Sequence, residues 1–302
     1  MNCFIIRQFT TCLQVGAWRR LFLDLIAAIG ELVLDVTIVP EDELIPDDER
    51  DARILISGGG QAANFCAWAA SLGEPARLIT WVGGDDSGRR LVAELRSAGV
   101  DVAAHVTAEP TRTVAVLVGP GGRRTFARQP GAGPGLPAER VDPAWRDGVR
   151  LLHVSAYALF REPAAGAARR AADLARARGA LLSVDLASAA DVRAFGRDRL
   201  VEELGRLRPE VLFATEREAA ELPVPAAQVA KVPVVKLGAR GCRVFGRRVP
   251  AHAVEVVDGT GAGDAFAAAF CVAYLEGATP VEAAARAVLV AACAVTTLGA
   301  RP

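Results

Sequence analysis

Residues Asp258–Phe270 read DGTGAGDAFAAAF. Gly259, Gly261, Ala262 and Gly263 crowd around one acid, Asp264, and a helix-forming run of alanine and phenylalanine follows at once. A glycine-rich turn that feeds a helix leaves backbone N–H groups unpaired and pointing one way, which makes an anion site. An acid in such a site is costly unless it has chemistry to do, such as taking a proton. The combination points to phosphoryl transfer to a hydroxyl. Gly261, Ala262 and Gly263 would offer N–H donors to the transferring group, and Asp264 would deprotonate the attacking hydroxyl. The plainer alternative is a glycine-rich helix start with a capping acid. Phe266, Phe270 and Tyr274 recur every four residues and would anchor one face of the helix in the core.

Short apolar runs lie upstream at Leu25–Ile29, Arg77–Val82, Leu151–Ser155, Leu181–Val184, Val211–Ala214 and Val234–Leu237. Helical stretches at Gln61–Ser71, Arg89–Ala98, Ala164–Arg178, Arg199–Leu207 and Glu216–Leu222 separate them. The alternation predicts an α/β fold with a mainly parallel central sheet covered on both faces. Segments near 33–57 and 103–128 do not alternate with helices, so they are expected to form a small β-sheet lid. The fold is expected to occupy 24–302. Residues 1–23 contain Arg7, Arg19 and Arg20, and no acid before Asp24; they read as an upstream extension or a targeting peptide.

A length of 302 residues with 52% hydrophobic residues suits one large domain with an ample core. Positive and negative residues balance at 35 each, which advertises no nucleic-acid partner. No apolar run is long and clean enough for a membrane span. The six cysteines form no CxxC pair, so reduced thiols and a cytoplasmic setting are expected. Lys231 and Lys236 both follow a residue other than glycine, which excludes a GxxxxGK[ST] phosphate loop. His105, His153 and His252 are far apart and read as structural.

DGTGAGDAF resembles the C-terminal signature of the ribokinase-like sugar kinases, the PfkB carbohydrate kinase family. Four further elements agree in order. Gly30-Glu-Leu-Val-Leu-Asp35 is similar to the family's first strand with its substrate-binding acid, and Gly59-Gly60-Gln-Ala-Ala-Asn64 to its GGxxAN element. Val82-Gly-Gly-Asp85-Asp-Ser-Gly88 is similar to its VGxDxxG loop, and Lys236-Leu-Gly238-Ala-Arg-Gly241 to the loop that shapes its nucleotide pocket. The resemblance implies a three-layer αβα ribokinase-like fold and an ATP- and Mg2+-dependent carbohydrate kinase. It implies that Asp35, Gly59, Gly60 and Asn64 hold the sugar, and that Lys236, Gly238 and Gly241 border ATP. Glu218 would act on magnesium through water, and Asp258 would help hold a monovalent cation such as K+. Two positions depart from the pattern. Thr215 stands where an NxxE asparagine is usual, and Gly259 where a threonine is usual, which loosens the magnesium and cation sites.

The expected partner is a small-molecule sugar. A nucleoside is the rival acceptor, and a phosphosugar gripped by Arg112, Arg123, Arg124 and Arg128 is a third. A non-catalytic sugar or nucleotide sensor is the alternative from another class. Self-association as a homodimer through the lid is expected because exposed strand edges invite pairing.

Overall fold

Strand β1 (Leu25–Ile29) is buried along its whole length, and its side chains divide between two cores. Ile26 and Ala28 enter one core, and Leu25, Ala27 and Ile29 enter the other. Side chains of a strand alternate between faces, so an all-apolar strand needs cover on both. The computed structural model describes residues 24–119, 124–129, 131 and 135–302. The expected extension over 1–23, Arg123 and the side chain of Arg124 lie outside the described residues.

The chain supplies two sheets. A small one takes β2 (Val33–Pro40), β3 (Ala52–Gly59), β6 (Thr113–Val118) and β7 (Arg124–Gln129). The large one takes β1, β4 (Ala76–Gly83), β5 (Val100–Thr107), β8 (Val149–Ser155), β9 (Leu181–Asp185), β10 (Val211–Thr215), β11 (Val232–Lys236), β12 (Cys242–Val244) and β13 (Arg247–Val249). Its order is β13-β12-β11-β10-β9-β8-β1-β4-β5. Every pairing from β11 to β5 is parallel, and β12 and β13 add an antiparallel edge. Helices α1 (Gln61–Ser71), α2 (Asp86–Ser97), α7 (Ala262–Leu275) and α8 (Pro280–Ala294) cover one face. Helices α3 (Ala164–Arg176), α4 (Ala189–Phe195) and α5 (Arg197–Leu207) cover the other. The expected helix over Glu216–Leu222 is a single turn, α6 (Glu216–Ala219), opened by a capping box; Pro223 follows Leu222 and disfavours helix at that residue.

One expectation is corrected. The lid segment expected at 103–128 begins too early. Residues 100–107 form β5, which pairs in parallel with β4 at the edge of the large sheet. The small sheet has the order β3-β2-β6-β7. Short apolar segments of both sheets look alike in composition, and only their partners separate them. Asp85 explains where the lid begins. It accepts hydrogen bonds from Gly88 N (2.8 Å), Thr111 N (2.9 Å) and Thr111 Oγ1 (2.5 Å), so one acid caps α2 and pins the start of β6. Two ion pairs, Arg112–Glu31 and Arg128–Asp191, tie the lid to the body.

The strand order reverses direction at β1 and β8. From β1 the chain builds outward to β4 and β5, and from β8 outward the other way to β11. In open α/β sheets the crevice at the carboxyl ends of such strands is the binding position. Asp185, Thr215 and Lys236 are the last residues of β9, β10 and β11, so all three are delivered there. Beneath them Phe213 is fully buried, edge-on to Phe266 and Phe270 of α7 at ring-centroid distances of 6.2 and 5.3 Å. Phe213→Ala should cost about 3–5 kcal/mol of stability. Phe245→Ala, at a ring 59% exposed, should change it by less than about 0.5 kcal/mol. Urea unfolding of the two variants checks the contrast.

Candidate active site

Helix α7 begins at Gly261, whose backbone is left-handed (φ 74°). The N–H groups of Asp264 and Ala265 both donate to Gly261 O, at 3.0 and 2.9 Å. Those of Ala262 and Gly263 stand at the open end of the helix, with no carbonyl inside it to receive them. A Cβ on Gly261 would come within 2.3 Å of the Ala300 carbonyl oxygen, so the C-terminal segment lies directly against this turn. The Lys236 amine sits 3.3 Å from where a Cβ on Gly263 would be, beside the same open N–H groups.

Asp264, in the first turn of α7, accepts a 2.8 Å hydrogen bond at Oδ2 from Asn64 Nδ2. Asn64 is buried in the first turn of α1, which Gly60 caps. Burial pushes the Asp264 carboxyl up to about 7; the charges of Asp185 and Asp35 add to the rise, and Asn64 and Lys236 oppose it. Asp35, on β2, lies against the Gly59 backbone, where a Cβ would come within 2.0 Å of its Oδ2. Any larger residue there would have to displace the Asp35 carboxylate. Burial raises Asp35 to about 6, against the lowering pull of Arg301. The structure therefore brings Asp35, Gly59, Gly60, Asn64, Asp264 and the Gly261–Gly263 turn into one crevice.

Lys236 is ion-paired with Asp185 at 2.5 Å; Asp185 is buried and Lys236 half-buried. Burial disfavours the ammonium, but Asp185 and Glu218 outweigh it, and its pKa is raised. Glu218 is buried too, and burial followed by the charge of Asp185 raises its pKa. Its Oε2 accepts from Thr215 N at 2.7 Å, while Thr215 Oγ1 accepts from Glu218 N at 3.3 Å. The Thr215 departure is thus absorbed as a capping box. Two buried carboxylates, Asp185 and Glu218, share one lysine and leave an excess negative charge at the strand ends. Below them His153 stacks on Phe65 at 4.0 Å and shares a 2.9 Å hydrogen bond with Ser183; burial pushes it down to about 4, which keeps it neutral.

Other expected residues lie around this centre. Gly238 and Gly241 bound a one-turn 3-10 helix between β11 and β12. Asp258 accepts from Thr260 N (2.9 Å), Thr260 Oγ1 (2.6 Å) and Gly299 N (3.1 Å), clamping the turn to the C-terminal segment. No group of three or more His, Cys, Asp or Glu suited to a metal occurs among the described residues. No helix of the described residues is long and apolar enough to cross a membrane. The sequence reading missed two residues. Asp185 had a signal, an acid closing an apolar parallel strand. Arg301 had none. It donates from Nε to Asn64 Oδ1 at 3.0 Å and from Nη2 to Gly59 O at 2.9 Å.

A family model described as pfkB family carbohydrate kinase matches residues 23–302. Fructokinase-1 of Zea mays is 31% identical over 266 residues, covering 82% of this chain and 81% of its own. The solved adenosine kinase of Sinorhizobium meliloti superposes with a TM-score of 0.83 at 26% identity, covering 93% of this chain and 96% of that one. A putative ribokinase II from E. coli, solved with ATP and Mg2+, gives 0.79 at 26% identity, over 92% and 94%. The fold is ribokinase-like.

The Asp264 carboxyl ionises at about 7 in the folded protein against an ordinary 3.8. The folded state then holds this proton more tightly across that window. The stability it contributes is complete at low pH and is lost as pH rises through 7. Asp264→Asn removes the penalty of burying the charge. The variant should be more stable than the native protein at pH 8 by on the order of 3 kcal/mol, and no more stable at pH 4. Urea titrations at both pH values check this; equal stabilities at pH 8 contradict it.

Proposed function

The chain belongs to the pfkB family of carbohydrate kinases and is a phosphotransferase acting on a sugar hydroxyl, and from that premise we propose that it transfers the γ-phosphoryl of ATP with Asp264 as the base. The observation that carries this reading is a carboxylate poised near neutrality one residue beyond the open N–H groups of α7. A general base works best when its pKa lies near the working pH. Asp264 keeps Oδ1 free of any partner among the described residues, because Asn64 occupies Oδ2. Oδ1 accepts the proton of the attacking hydroxyl late in a loose transition state, when the oxygen has become acidic.

Asp35 and Asn64 hold neighbouring hydroxyls, and Gly59 and Gly60 let the acceptor approach the backbone. The N–H groups of Gly261, Ala262 and Gly263 receive the transferring phosphoryl, and Lys236, aimed by Asp185, adds a positive charge at that place. Gly238 and Gly241 border the nucleotide. The donor set suits a divalent cation arriving with ATP. Asp185 and Glu218 outnumber Lys236, and Glu218 would meet magnesium through water. When bound, magnesium supplies neutralisation of the phosphate charge. Asp258, already engaged by Thr260 and Gly299, shapes the turn beside any monovalent cation.

A nucleoside acceptor is the second reading. Phe126 pairs with Val116, which pairs with Thr37, so it shares the Asp35 face of the lid. Its ring is 59% exposed there and could stack on a base.

ADP release should be measured across hexoses, pentoses, sugar acids and nucleosides with Mg-ATP. A sugar should drive turnover, and Asp264→Asn should lower it by at least about 10²–10⁴-fold with ATP affinity nearly unchanged. Acceptor-dependent turnover that survives in Asp264→Asn rejects the mechanism. Turnover with nucleosides alone selects the second reading.

A further inference from the structure

We propose that Arg301 is a positioning residue for phosphoryl transfer: by holding the amide of Asn64, it fixes the oxygen of Asp264 that faces the acceptor. This inference rests on the reading of Asp264 as base.

A guanidinium can only donate, and an ionised carboxylate can only accept. An asparagine lying between them must present its oxygen to the arginine and its NH2 to the acid. The structure has that order: Arg301 Nε–H donates to Asn64 Oδ1 at 3.0 Å, and Asn64 Nδ2–H donates to Asp264 Oδ2 at 2.8 Å. Turning the amide over would set N–H against N–H and oxygen against oxygen. Arg301 therefore determines which end of Asn64 meets the base, and Asn64 determines which oxygen of the base is occupied.

Arg301 is itself held on several sides. Its Nη2 donates to Gly59 O at 2.9 Å. Its Nη1 packs on Gly58, where a Cβ would come within 2.2 Å. The preceding residue is fixed as well, since Ala300 O accepts from the buried Trp68 Nε1 at 3.0 Å and rests on Gly261. One short segment thus grips the sugar-side helix α1 and the catalytic turn together.

Among the described residues the guanidinium makes hydrogen bonds to neutral oxygens, and no carboxylate pairs with it directly. Burial pushes its pKa down to about 10. A cation with no direct carboxylate partner is expensive to bury, and here its field reaches Glu94 first and then Asp35 and Asp264, with no direct pair to any of the three. The groups that face Asp264 are Asp185 on β9, Lys236 on β11, Asp35 on β2, Asn64 on α1 and Arg301. Asp185 and Glu218 share Lys236, and the cation whose field lowers Asp35 is Arg301, which also feels Glu94.

The test uses the full chain labelled with 15N and with 13C at the aspartate carboxyls, as native protein, Arg301→Met, Arg301→Lys and Gly58→Ala. In Arg301→Met the Asp264 13C titration should move up by about half to one pH unit. The Asn64 side-chain NH2 should lose about tenfold of its exchange protection. Arg301→Lys should keep the titration midpoint and lose the protection. With the sugar that turns over best, kcat of Arg301→Met should fall by about 10- to 100-fold, more than KM rises, with the acid limb of its pH profile moved up. Gly58→Ala keeps the charge and displaces only the guanidinium, so it should reproduce the lost protection even if Arg301→Met does not fold. An unchanged midpoint and an unchanged Asn64 resonance in folded Arg301→Met overturn the proposal. So does a fall in kcat that merely tracks thermal stability. If no acceptor is phosphorylated, the kinase reading fails, and the two spectroscopic readouts still decide the role of Arg301.

Discussion

Four acids and two bases share the crevice at the carboxyl end of the large sheet, and the rest of the site follows from that imbalance. Asp264, Asp35, Asp185 and Glu218 are coupled to Lys236 and Arg301, with Asp185 and Glu218 buried and the other four half-buried. Only Lys236 and Asp185 form a direct ion pair. Burial, joined by the charges of Asp185 and Asp35, lifts Asp264 to about 7, and burial against the pull of Arg301 lifts Asp35 to about 6. A carboxyl that resists ionisation is a stronger base once ionised. The same burial that destabilises the charged fold prepares the acid to accept a proton.

The scaffold supports this imbalance by dividing the work among elements far apart in sequence. Parallel strands bring Asp185, Thr215 and Lys236 to one edge, and the two apolar cores hold those strands rigid. Helix α1 brings Asn64 from one side, and α7 brings Asp264 from the other. Their 2.8 Å hydrogen bond closes the crevice across 200 residues of chain. The segment from Gly299 to Arg301 ties both ends down, through Asp258, Trp68, Gly59 and Asn64. The lid supplies Asp35 and is fastened at Asp85 and by the pairs of Glu31 and Asp191.

Much of this was legible in the sequence, because period and glycine carry local information. The buried strands read as apolar runs, α7 as a glycine-capped apolar helix, and Gly59 and Asn64 as a helix entry whose place at the substrate came only from the family resemblance. The partition of strands between sheets was not legible. Residues 100–107 and 113–118 have similar apolar patterns, and only pairing sends the first to the large sheet and the second to the lid. Arg301 was hidden for a related reason. In a chain where arginine supplies nearly all the positive charge, one more carries no signal. Its meaning arises only when the C-terminal segment is laid across α1. Thr215 was legible as a departure, but its compensation by capping required the geometry of Glu218.

The central claim is that Asp264 is the base, and its own ionisation tests that most directly. The pH dependence of kcat should be recorded from pH 5 to 9 for the native protein and Asp264→Asn. The native rate should rise with pH through a single ionisation near 7 and level above it. The residual rate of the variant should lack that step. A native profile flat across this range, or the same step retained in Asp264→Asn, would contradict it.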